Sequence, residues 1–118
     1  MNQGARLPNW RYVGIFVPAT AGLPPMFMEK SCQFFGISEQ LVASKTQKRE
    51  VVNVRQMMWS WLRENTGMSW SEISLAVGRR DHSSAVAGVG VHYDMMQIDK
   101  DWRARYESYC KHMEGVVA

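Results

Sequence analysis

From Pro25 onward the chain carries no further proline, and its apolar residues fall into the three-to-four spacing of amphipathic helices. The clearest case is Val51, Val54, Met58, Trp61 and Leu62, which share one side of a predicted helix while Asn53, Gln56, Ser60 and Arg63 turn outward. Gly67 is its expected end. Trp59 and Trp61 lie about 200° apart on such a helix, so one of them is expected at the surface as part of a partner-binding patch. Before this helix, the pattern predicts one over residues 25–35 with proline in its first turn and Gly36 as a stop. A short helix follows, capped by Ser38 and running to about residue 44, with Glu39 in its first turn. Residues 45–49 form a polar, basic loop.

After Gly67 the start signals sharpen. Ser69 and Glu72 have the spacing of a capping box, in which each side chain satisfies the other residue's exposed amide. Gly78 ends that helix within about two turns, and Asp81 is a natural N-cap for a longer helix beginning at His82. A last helix is expected over about 99–113. The predicted architecture is all-α, with residues 1–24 as an arm or linker and residues 25–118 as one helical domain. The arm follows from Pro8, Pro18, Pro24 and Pro25 with Gly4, Gly14 and Gly22, which exclude a long helix and leave room for one short extended piece at 12–17.

Composition narrows the class. At 118 residues, with 46% hydrophobic and 21% charged, the chain suits a single globular domain. No apolar run approaches the ~20 residues that span a bilayer, and the N-terminus lacks a signal-peptide pattern. A cytoplasmic location is expected, with Cys32 and Cys110 as free thiols. The net charge of +3 is unevenly spread: residues 45–80 carry net +4 and residues 81–118 net −2. A basic middle third is where a polyanion would be held.

The capped short helix, the glycine turn and the second capped helix together make a helix-turn-helix pattern. In that motif the first residues of the second helix meet base edges in the major groove. Here they are Asp81, His82, Ser83 and Ser84, preceded by Arg79 and Arg80, whose charge and the helix dipole favour a nearby phosphate. The run of Arg80, Asp81, His82, Ser83 and Ser84 after Gly78 resembles the C-terminal signature of the bacterial replication initiator DnaA family. The resemblance extends back through Ser69, Glu72 and Ile73, to Arg55 and Gln56, and to the basic loop, covering about residues 28–113. It implies a Trp-repressor-like all-helical domain that binds a short asymmetric double-stranded DNA site. Position by position, Asp81, His82 and Ser83 would read major-groove edges. Ser84, Arg55, Gln56 and Arg63 would hold the backbone or neighbouring bases, and Lys45, Gln47, Lys48 and Arg49 would reach into the minor groove.

The chain departs from the family pattern in three places. Serines stand at 83 and 84 where threonine is usual, Gln47 is polar rather than basic, and residues 87–91 lack the family's basic residue. In that last stretch Gly88 and Gly90 each weaken a helix interior by about 1 kcal/mol relative to alanine. No phosphate loop of the G-x-x-x-x-G-K type occurs, so the expectation is a reader without an ATPase motor. No cofactor is expected. Cys32, His92, Cys110 and His112 have no metal-ligand spacing, and Asp81, His82 and Ser83 are consecutive on one turn rather than arranged as a triad, so neither a metal site nor an enzyme is expected. The competing function is a protein-interaction module using the arm and an exposed Trp59 or Trp61. The expected state is a monomer or a weak dimer.

Overall fold

The computed structural model describes residues 22–78 and 81–116. Most of the expected arm, its extended piece at 12–17, and Arg79 and Arg80 therefore lie outside the described residues. The described chain is helical throughout its regular structure, in the order α1 (Phe27–Phe35), α2 (Glu39–Ala43), α3 (Arg49–Asn65), α4 (Trp70–Ala76), α5 (His82–Ile98) and α6 (Lys100–His112). Local chemistry explains most of these boundaries. Gly36 closes α1 in the left-handed conformation at φ 68°, and the Ser38 hydroxyl accepts from the Leu41 amide to open α2. Ser69 and Glu72 form the complete capping box at α4. Asp99 caps α6 by accepting from the amides of Asp101 and Trp102.

The short link between α4 and α5 depends on Gly78. Its φ is 81°, and a Cβ there would lie 2.6 Å from the Ala43 Cα. Both the backbone conformation and the approach of α2 demand glycine at this turn.

The centre of the molecule is α3, in which residues 57–62 are all buried. This corrects the expectation that Trp59 or Trp61 faces a partner: they are 4% and 3% exposed. The physical reason is that other helices cover the stretch 57–62 on two sides, so residues two apart both meet a neighbour; Ser60, expected to face outward, is buried with them. Trp61 stacks on Phe27 of α1, with ring centroids 5.5 Å apart. Trp59 packs toward α5, where a Cβ on Gly88 would come within 2.7 Å of its ring.

A second set of contacts, buried around His92, joins the C-terminal half of α5 to α6 and α3. The Trp102 indole N–H donates to His92 Nδ1 at 3.0 Å, and the Tyr106 ring meets the His92 ring edge to face at 4.2 Å. Tyr93 and Tyr106 both donate to the Glu64 carboxylate, at 2.9 and 2.7 Å. Burial first, and then the Glu64 charge, pushes the Tyr93 hydroxyl up to about 12 and holds Tyr106 far above the ordinary phenol range. Ser31 and Tyr109 share a buried hydrogen bond of 2.6 Å that ties α1 to α6. Cys32 and Cys110 are free, and burial raises both thiols above their usual range. Among the described residues no helix is long and apolar enough to cross a membrane.

Candidate nucleic-acid interface

The first turn of α5 is a polar tip on a well-packed base. Asp81 caps it, its Oδ1 accepting from the Ser83 amide at 3.0 Å and the Ser83 hydroxyl at 2.7 Å. His82 and Ser83 are exposed and Ser84 is half-buried. The tip is fixed from beneath by Ser74 of α4, whose hydroxyl donates to the Asp81 carbonyl at 2.9 Å. Sequence reasoning missed Ser74, because a buried serine in a short helix carries no distinctive spacing.

The basic loop between α2 and α3 is held by a side chain that the sequence reading assigned to the ligand. Arg55 is 2% exposed. Its guanidinium donates to the carbonyls of Val42, Thr46 and Ser44 at 2.8, 2.8 and 2.6 Å. These acceptors are carbonyls at the C-terminal end of α2 and in the irregular segment after it, and five donors in a planar fork suit several of them at once. Arg55 thus shapes the loop from inside, whereas Lys45, Gln47, Lys48 and Arg49 stand exposed around it.

Loop, α3 and α5 converge on one cleft of about 210 Å³, bordered by Gln47, Arg55, Gln56, Trp59, Ser84 and Gly88. Four of the expected site residues (Gln47, Arg55, Gln56 and Ser84) are therefore brought together although they are spread over three elements. Gln56 Oε1 and Trp59 Nε1 are buried there without a hydrogen-bond partner among the described residues. Arg63 is not part of this group: it sits at the far end of α3 with its guanidinium 4.3 Å over the Trp70 ring at the start of α4. That stacking holds an exposed cation beside the first helix of the turn. Trp59 and Gly88, which also border the cleft, had no signal in the sequence beyond an aromatic residue and a glycine.

This is a helix-turn-helix: a capped short helix, a glycine turn that only glycine can make, and a capped second helix whose polar tip is presented to solvent. A family model described as the bacterial dnaA protein helix-turn-helix matches residues 27–90, and the chain belongs to that family. Among curated relatives, the chromosomal replication initiator protein DnaA of Thermomicrobium roseum is 32% identical over 81 residues, covering 69% of this chain and 17% of that protein. The corresponding protein of Bacteroides fragilis is 27% identical over 77 residues, covering 65% of this chain and 16% of its own length. The chain thus matches about one sixth of these relatives.

Proposed function

We propose that this chain binds double-stranded DNA at initiator-type sites and acts in the control of replication or transcription. Asp81, His82 and Ser83 read base edges in the major groove, where short polar side chains can donate and accept. Gln56, Arg63 and Ser84 hold the backbone, and Arg79 and Arg80 add positive charge beside the Asp81 cap in sequence. Lys45, Gln47, Lys48 and Arg49 enter the adjoining minor groove on a loop that Arg55 keeps in shape. The observation that carries this reading is the shared cleft: Gln47 of the loop, Gln56 of α3 and Ser84 of α5 border one concavity. Two reading elements on one face can engage one duplex together. These 118 residues contain no phosphate loop, so the proposed act is occupancy of a site without nucleotide hydrolysis by this segment.

Fluorescence anisotropy with an initiator-type box and a scrambled duplex, at two salt concentrations, tests the proposal. The expected result is box-selective binding that His82→Ala weakens by about 1–3 kcal/mol. The logarithmic salt slope should be near −4 to −5, as for ~5 phosphates. No binding even at low salt overturns it.

A further inference from the structure

The two glycines in the interior of α5 look alike in sequence and differ completely in space. A Cβ on Gly90 would meet nothing within 4 Å, whereas one on Gly88 would lie 2.7 and 2.8 Å from Cε3 and Cζ3 of Trp59 and 3.3 Å from Gln56 Cγ. Carbon atoms separate to about 3.5–4.0 Å, so alanine at 88 must drive α5 and α3 apart by roughly 1 Å or displace the buried indole. The indole has limited freedom to give way, being 4% exposed and packed in the core cluster, although one side of it borders the cleft. Ser84 stands one turn before Gly88 on the same face of α5 and borders the same cleft. Gln56, which touches the Gly88 site, stands one turn before Trp59 on α3. A displacement at Gly88 is therefore delivered to both walls of the cleft.

We propose that Gly88 and Trp59 form a matched notch and wedge that sets how deep the reading tip of α5 sits against α3, making both positioning residues for base selection. This rests on the DNA-binding reading above. It also gives a role to a glycine in a helix interior, where it otherwise weakens the helix. Base-edge hydrogen bonds tolerate only a narrow range of distance and angle. Phosphate attraction is long-ranged and forgiving. The notch should accordingly govern selectivity and leave non-specific affinity nearly unchanged, a split that a merely structural role would not produce.

The test measures box and scrambled-duplex affinities for wild type, Gly88→Ala, Gly90→Ala and the double variant Trp59→Leu, Gly88→Ala, in which a smaller wedge meets the filled notch. Gly88→Ala is expected to lower the box-to-scrambled ratio about tenfold or more, with the scrambled affinity and the salt slope preserved. Gly90→Ala should keep the wild-type ratio, and the double variant should recover most of it. If Gly88→Ala fails to fold, the double variant decides: a folded, selective protein supports the pairing, and an unfolded or unselective one overturns it. A Gly88→Ala protein as selective as wild type overturns the inference and leaves the DNA reading intact. A wild type that does not distinguish the duplexes overturns both.

Discussion

The two ends of α5 are secured by different means. At the N-terminal end, Asp81, His82 and Ser83 are exposed, and the hydrogen bonds of the tip are short-range: Asp81 to Ser83, and Ser74 to the Asp81 carbonyl. At the C-terminal end, His92 is wholly buried, accepts from Trp102, and lies against Tyr106, which in turn donates to Glu64 of α3. A helix is stiff over this length, so anchoring one end with buried aromatic contacts fixes the other end without spending its side chains on packing. His82 and Ser83 are thus exposed at the tip. The family match stops at residue 90, so the His92 anchor and α6 lie beyond it, although they hold the matched part in place.

The sharpest way to break this arrangement is at the turn that connects the tip to α4. Gly78→Ala must place a Cβ 2.6 Å from the Ala43 Cα at a φ of 81°. Left-handed backbone and overpacking together should cost about 2–5 kcal/mol, read as a lower midpoint in urea. His92→Leu comes next: it leaves the Trp102 N–H buried without an acceptor and should cost about 1–3 kcal/mol of stability. The prediction that sharpens the comparison is that box selectivity of the folded His92→Leu protein also falls, because the contact that fixes the tip from the far end of α5 has been loosened.

A smaller effect follows from protonation at the anchor. Burial lowers the His92 pKa below 6.5, opposed by the Glu64 charge. The bond from Trp102 requires an unprotonated Nδ1, so the folded state disfavours the imidazolium. As pH falls below about 6.5, the unfolded chain takes up the proton before the folded one. The contribution of His92 is thus fully present above that value and lost as pH falls toward the lower folded-state value. Melting temperatures measured across this window should fall in wild type more steeply than in His92→Leu. The smallest change is expected at the tip, where His82→Ala should alter stability by no more than about 0.5 kcal/mol. A large stability loss in His82→Ala would mean the tip is part of the core after all.

Much of the element plan was legible because it rests on short-range chemistry. The caps at Ser38, Ser69 and Asp81 and the stops at Gly36 and Gly78 each act within a few residues, so spacing alone reveals them. Near the C-terminus only the presence of a last helix was legible, since nothing local tells Trp102 that it will meet His92. The site was partly legible for the same reason. A run such as Asp81 to Ser84 is contiguous, but Arg55 read as a residue that holds the DNA, and its donation to the loop carbonyls follows only from the folded loop.

Sequence by itself determined where helices begin and end, that the middle of the chain is basic, and which residues could form a polar reading tip. Tertiary structure decided which faces are covered. It buried both Trp59 and Trp61 by packing neighbours on two sides of α3, turned Arg55 onto the carbonyls of a loop, and set Gly88 against the Trp59 ring while leaving Gly90 in open space. Helix ends are fixed by backbone amides and carbonyls that need partners within one turn. Burial is fixed by which elements meet across the core, and no spacing along the chain encodes that directly.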